Sequence, residues 1–334
     1  MTVSFSDIAD ALRWVWLVAG IVWIAYAWLH RVSYTRVLLG LGALIALDIL
    51  LHAFADFAER PDSNIPSDFA LYSVMMLLAA IAGLSATCLY ARWRKMNVWT
   101  IIDAALVCVI VGGIGGRLYQ VAMNWNYYSE NADVITDLAQ GGFGMRGALI
   151  FGFIALFLFA TITHNSFWKL ADAAVIGLSL AQSIGWYGAY LTHTHYGIAL
   201  DAPPVVGILA PFAQMVRAFG YNFVQDLPDA YNLIAFRIPI QLFAALFFGA
   251  LLVALLYLAQ KHPGRAGYVF TCYVLLASLA SFVFGFWRGD ETLMWNGLRV
   301  DQWFDIGIFI FGLALLWLQF ARTKISPPRM VQLA

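Results

Sequence analysis

Arg117, Arg146 and Arg237 all stand within or at the edge of long apolar runs. A guanidinium at mid-bilayer costs about 2.5–3.5 kcal/mol on insertion scales, so each needs an acidic partner, a route to the interface, or a phosphate. The planar guanidinium fork donates to two phosphate oxygens at once, which makes the last option chemically specific. Arg117 closes Gly112-Gly113-Ile114-Gly115-Gly116-Arg117-Leu118-Tyr119, a run whose glycines permit close helix approach. Its alternative is to snorkel to the interface. Arg146 follows Gly141-Gly142-Phe143-Gly144-Met145 and opens a helix, where free N–H groups favour an anion. A pairing with Asp137 or Glu130 is the other option. In Arg237-Ile238-Pro239-Ile240-Gln241 a proline falls in the first turns of a span beside an Arg and a Gln, which implies either a polar cavity or a simple proline-started helix.

His193-Thr194-His195 raises metal binding, but no Cys or carboxylate stands nearby at a ligand spacing, and interfacial imidazoles without metal fit better. Ser183, Ser281 and Thr192 lie in no Gly-x-Ser-x-Gly turn. Asp48 and His52, one helical turn apart, read as a hydrogen-bonded pair within the membrane. No metal ion or cofactor is implied. Cys88, Cys108 and Cys272 lie in apolar runs and read as small buried hydrophobes.

The elements that must position these side chains are spanning helices. Of 334 residues, 62% are hydrophobic and 11% charged, which excludes a soluble globular domain. Nineteen basic residues balance nineteen acidic ones, so there is no electrostatic footprint for nucleic acid. About 20 apolar residues cross a bilayer. Nine segments meet that requirement, near 11–30, 37–55, 68–91, 99–123, 146–163, 171–191, 233–258, 268–287 and 303–320. The fold class is therefore an all-α polytopic membrane protein. Arg31, Arg36, Arg92, Arg94, Lys95, Lys169, Lys261, Arg265, Arg322, Lys324 and Arg329 fall on one side of this arrangement, with no acid among them. By the positive-inside rule that side is cytoplasmic, which puts the N-terminus outside and the C-terminus inside. The first ten residues carry no basic n-region, so the first span is expected to stay. Two long amphipathic connections, 124–145 and 192–232, are expected to lie along the outer face.

Taken in order, these landmarks resemble the prolipoprotein diacylglyceryl transferase family of bacterial inner-membrane enzymes over roughly 68–320. Gly116-Arg117-Leu118-Tyr119 is similar to the family's Gly-Arg-hydrophobic stretch, and 141–147 to its Gly-Gly-x-x-x-His-Gly loop. Arg237-Ile238-Pro239-Ile240-Gln241-Leu242 is similar to Arg-His-Pro-Ser-Gln-Leu, Tyr196-Gly197 to the family's aromatic-Gly, and Arg288-Gly289-Asp290-Glu291 to its Arg-Gly-Asp-Glu close. Residues 1–60 have no counterpart and read as a two-helix extension; 321–334 reads as a basic cytoplasmic tail.

The resemblance implies transfer of a diacylglyceryl group from phosphatidylglycerol to a lipobox cysteine, with release of glycerol phosphate. It implies phosphate contacts from Arg117, Arg146, Arg237, Gln241 and Arg288, and packing or turn roles for Gly116, Gly142, Gly147 and Gly197. Departures fall on polar positions. Arg146 replaces the loop histidine, and a guanidinium is no base at ordinary pH. The Gly-Arg-x-Gly-Asn-Phe signature falls on Gln182-Ser183-Ile184-Gly185-Trp186-Tyr187, which replaces its arginine by Ser183 and its asparagine by Trp186. Ala277, Ser281 and Gly285 replace a further Tyr, Arg and Glu, and Phe243-Ala244 stands where Tyr-Glu is usual. Loss of one preorganised donor costs about 10²–10³ in rate. These substitutions predict a catalytically inactive, phospholipid-binding scaffold that assembles with other integral membrane subunits. The alternative is an active transferase in which His193 or His195 serves as the base.

Overall fold

The computed structural model describes residues 67–136, 142–199, 226–228, 234–290 and 292–325. The expected spans at 11–30 and 37–55, the Asp48–His52 pair, Asp137, Gly141 and Glu291 lie outside the described residues. Helices are numbered from the first one described: α1 Ser67–Trp93, α2 Val98–Met123, α3 Trp125–Glu130, α4 Met145–Ile162, α5 Phe167–Leu191, α6 Ile240–Lys261, α7 Tyr268–Gly285 and α8 Val300–Ile325. Two short antiparallel pairs join them, β1 Asp226–Pro228 with β2 Ile234–Phe236 and β3 Met294–Trp295 with β4 Leu298–Arg299.

Six described helices are long and apolar enough to cross a membrane: α1, α2, α4, α6, α7 and α8. Their outward side chains are apolar, among them Leu89, Val109, Ile162, Leu246, Val253 and Trp317. Lipid selects such surfaces, because only a helix satisfies its own backbone groups in hydrocarbon. The segment expected to span at 171–191 is α5, which is more polar and sinks Asp172, Ser179 and its small residues into its unit.

Two boundaries differ from expectation. The helix expected from 233 begins at Ile240, because Ile234–Phe236 pairs as a strand and Pro239 caps the helix without a donor N–H. The last helix runs to Ile325, into the stretch expected as a tail.

The described residues form two compact units, Lys95–Phe167 and a second built from Asp68–Arg94 and the chain from Trp168 onward. In the first unit, α2 and α4 meet through small residues. A Cβ on Gly115 would lie 2.2 Å from the Phe151 ring, and one on Gly147 would lie 2.3 Å from the Gly115 carbonyl oxygen. Helix association in lipid depends on such close packing, since hydrophobicity gives no net drive there.

In the second unit, α1 and α5 touch at Gly83 and Gly177, where a Cβ on Gly177 would lie 2.0 Å from Thr87 Oγ1. The core about α5, α6 and α7 includes Ile176, Phe248 and Leu255. Polar side chains bind neighbouring helices: Tyr273 Oη donates to Gln182 Oε1 at 2.7 Å, and Gln302 Nε2 donates to the Phe282 carbonyl at 3.0 Å.

Candidate functional site

The second unit gathers its polar residues around one extended segment, 196–199, between α5 and the first short strand pair. Ile198 N–H donates to Trp287 O at 2.9 Å, Gly289 N–H to Tyr196 O at 2.8 Å and Ile238 N–H to Ile198 O at 3.1 Å. The segment is thus bridged to Arg288 through Gly197 and to Arg237 through Ala199. Such close backbone contact requires glycine. A Cβ on Gly197 would lie 2.2 Å from Ile238 O, and one on Gly289 would lie 2.6 Å from Gly197 O.

This crossing brings Gly197, Arg237, Gln241, Arg288 and His195 together, five residues singled out in the sequence. Arg237 is 7% exposed; its Cζ lies 4.4 Å from the Tyr196 ring centroid and its Nη1 donates to Gly197 O at 3.4 Å. Gln241, in the first turn of α6 and 1% exposed, donates from Nε2 to Thr194 O at 2.9 Å. Both His193 and His195 take left-handed backbone angles, φ 57° and 53°. His193 is exposed and donates its backbone N–H to Tyr190 O at 3.3 Å.

Around His195 lies an ionic cluster that sequence reasoning left incomplete. Arg288 Nε donates to Asp290 Oδ1 at 2.9 Å, Arg288 Nη2 donates to Asp290 Oδ2, and Arg288 Nη1 lies 3.8 Å from Asp301 Oδ2. His195 Nδ1 is 3.1 Å from Arg288 Nη2 and 3.5 Å from Asp290 Oδ2. Arg299, which belongs to none of the sequence motifs, donates from Nη2 to Asp290 Oδ1 at 3.0 Å and from Nη1 to Arg288 O at 3.1 Å. Burial alone would raise the Asp290 carboxyl. Hydrogen bonds from His195 and Arg288 and the charges of Arg288 and Arg299 instead hold it well below the usual carboxylate range. Burial opposes the Arg288 charge too, yet Asp290, Asp301 and Asp305 keep its pKa above the ordinary value. The missed signal for Arg299 was Asn296-Gly297 two residues before it, a hairpin turn that returns β4 to the Arg288-Gly289-Asp290 stretch.

The first unit holds the remaining expected residues. Arg117 donates from Nε to Ile135 O at 3.1 Å, from Nη1 to Gly142 O at 3.1 Å and from Nη2 to Val134 O at 2.5 Å. Its Cζ also lies 5.3 Å from the Tyr128 ring centroid. This guanidinium clasps the backbone of the connection between α2 and α4. Gly142 has φ +76°, and a Cβ there would meet Arg117 Nη1 at 2.8 Å. Gly116 accepts the Gly144 N–H at 2.9 Å. Arg146 is half-buried in the first turn of α4.

At the positions where the resemblance expects a catalytic arginine and glutamate, packing roles stand instead. Ser183 Oγ donates to Ala245 O at 2.8 Å, and a Cβ on Gly285 would meet Gln302 Cγ at 2.7 Å. Thr192 Oγ1, just past the end of α5, donates to Gly188 O in the last turn of that helix. Among the described residues no three His, Cys, Asp or Glu side chains are grouped to hold a metal ion.

The family model for prolipoprotein diacylglyceryl transferase matches residues 63–318. The chain belongs to the prolipoprotein diacylglyceryl transferase family. Family members are multi-pass proteins of the bacterial inner membrane, and the apolar helices described above suit that location. Similar proteins named phosphatidylglycerol–prolipoprotein diacylglyceryl transferase include one from Acaryochloris marina, 30% identical over 76% of this chain and 88% of the relative. Another, from Listeria innocua, is 27% identical over 77% of this chain and 87% of its own length. A third, from Clostridioides difficile, is 28% identical over 70% and 84%. The match begins after residue 60, so the first two expected spans lie outside this diacylglyceryl transferase region.

Proposed function

We propose that this chain acts on phosphatidylglycerol and transfers its diacylglyceryl group to the thiol of a lipoprotein cysteine, with His195 as the base. The observation that carries this reading is the position of His195 Nδ1 beside Asp290 and Arg288. In the tautomer whose Nδ1–H is donated to Asp290, Nε2 bears a lone pair for the cysteine proton. The thiolate sulfur then forms a C–S bond to the glyceryl CH₂, the C–O bond breaks, and its electron pair leaves on glycerol phosphate. The reaction consumes no cofactor. Arg237 and Arg288, both bridged to 196–199, supply positive charge for the departing phosphate, and Arg117 and Arg146 are separately assigned phospholipid contacts within the first unit. Residues 1–60 are proposed as a two-helix extension that, with α5 counted as a span beside the six other long helices, brings the spans to nine, with the N-terminus outside and the C-terminus cytoplasmic.

A second reading, favoured by the packing roles of Ser183 and Gly285, is a phospholipid-binding scaffold that assembles with other membrane subunits and carries out no transfer. In the other tautomer Nδ1 accepts from Arg288 and Nε2–H donates to a phosphate, which suits holding the lipid.

Purified protein in vesicles, given phosphatidylglycerol and a lipobox peptide, separates the two. Transfer predicts a thioether-linked peptide and equimolar glycerol phosphate, both lost in His195→Ala. Lipid retention without glycerol phosphate release establishes the scaffold reading instead.

A further inference from the structure

The hairpin between α7 and α8 exposes consecutive large apolar side chains. Leu293, Met294 and Trp295 are 52%, 61% and 58% exposed. Between Thr292 and Leu298 there is no charge. Asn296 and Gly297, with φ 48° and 77°, make the two-residue turn, and Met294 pairs with Arg299 while Trp295 pairs with Leu298. A two-stranded hairpin of this size is marginal in water by itself. This one is tied down: Trp303 Nε1–H donates to Trp295 O at 3.1 Å, and the two indole rings lie 5.0 Å apart. Trp303 is in the first turn of α8, so the contact folds the hairpin back to the level at which that helix enters the membrane.

The helices on either side carry lipid-facing side chains. Leu279, Val283 and Phe286 form an exposed stripe at i, i+4 and i+7 that leads out of α7 toward the hairpin, and Ile310, Phe311 and Trp317 are exposed along α8. Headgroup regions add roughly 5–8 Å on each side of the hydrocarbon core, and tryptophan concentrates at that depth. An uncharged Leu-Met-Trp edge, set between two helices with lipid-facing side chains and pinned beside one helix entry, has the chemistry of a membrane-interface anchor.

We infer that Leu293, Met294 and Trp295 insert into the bilayer leaflet adjoining the start of α8, and that the occupant of this apolar edge is phospholipid. Because Arg299 lies on β4 and holds Asp290, insertion fixes the Arg288–Asp290–Arg299 cluster at headgroup depth. The inference is independent of whether transfer occurs.

Two measurements on the full chain in nanodiscs of phosphatidylethanolamine and phosphatidylglycerol test it. In a background with Cys88, Cys108 and Cys272 changed to Ala, spin labels are placed at Leu293→Cys and Met294→Cys. Val253→Cys provides a lipid-facing control and Gly264→Cys a water-facing one, since a side chain at Gly264 meets nothing within 4 Å. Relaxation by oxygen should exceed relaxation by a water-soluble nickel chelate at 293 and 294, as at 253. Nickel-dominated relaxation there, as at 264, overturns the proposal. The second measurement uses the unaltered chain with a lipid carrying a diazirine on its acyl chain. Trypsin cleavage after Arg288 and Arg299 isolates the hairpin; lipid adducts on that fragment support insertion, and their absence while α6 and α8 fragments are labelled overturns it.

Discussion

Asp172 caps α7 from another helix: its Oδ2 accepts the Gly267 N–H at 2.7 Å and its Oδ1 accepts the Phe270 N–H at 2.8 Å. Gly267, the N-cap residue of α7, has φ +88° and no side chain to cap with, so α5 supplies the acceptor. A Cβ at Gly267 would meet Trp168 at 2.7 Å, which explains why the capping group comes from elsewhere.

Asp172→Ala therefore strands two buried N–H groups. The expected cost is about 2–3 kcal/mol, from cap loss and an unsatisfied donor together. Thermal unfolding in detergent checks it, with Asp172→Asn expected to fall between Ala and the parent because one acceptor oxygen remains.

The Asp290 carboxyl titrates below its ordinary range because two arginines and an imidazole favour its charged form. In acid the unfolded chain then binds the proton more readily than the folded one, so stability rises with pH there. The contribution is complete above the ordinary carboxylate pKa of ~3.9 and is lost as pH falls below that toward the depressed folded value. Asp290→Asn should flatten this acid limb and cost about 2 kcal/mol at neutral pH by leaving Arg288 and Arg299 in mutual repulsion. Melting curves of both proteins across acidic and neutral buffers read the difference.

Gly197→Ala drives a methyl group into the Ile238 carbonyl, a backbone atom with little room to give. The expected outcome is loss of about 3 kcal/mol and disruption of the 196–199 crossing. Gly264→Ala, where the added methyl meets nothing, should leave stability within about 0.5 kcal/mol of the parent. Paired unfolding measurements make the comparison.

Arg117 spreads its donors over three carbonyls on 134, 135 and 142. Lysine keeps the charge but cannot reproduce that fork. Arg117→Lys should cost about 2 kcal/mol locally and speed amide exchange over residues 132–136, while amides in the middle of α2 and α4 change little. Hydrogen exchange read by mass spectrometry follows each segment separately.

The spans were legible because a bilayer demands long apolar runs, and α1, α2, α4 and α7 begin within two residues of the positions expected from hydropathy. Hydropathy failed at α6, where Ile234–Phe236 is apolar enough to pass for helix and nothing local reveals its pairing with Asp226–Pro228. In the site, residue type marked Arg237 and Gln241 as needing partners and the family resemblance added Arg288, but neither gave the partners themselves. The link between Arg288 and His195 joins positions 93 apart, a separation no motif spacing encodes. Arg117 shows the same limit. Its residue type announced a fork of donors, and the fold directed them to backbone carbonyls.

The segment 196–199 is hydrogen-bonded to residues 238, 287 and 289. During synthesis it leaves the ribosome well before either neighbour exists. At roughly 5–20 residues per second, the 93 positions separating His195 from Arg288 correspond to a wait of about 5–20 s. Those backbone groups must stay hydrated through that interval, so biogenesis of the pocket is a late event that follows emergence of the penultimate helix. A chain halted after α6 should reach the bilayer with three of the second unit's five described helices and with this strand still in water.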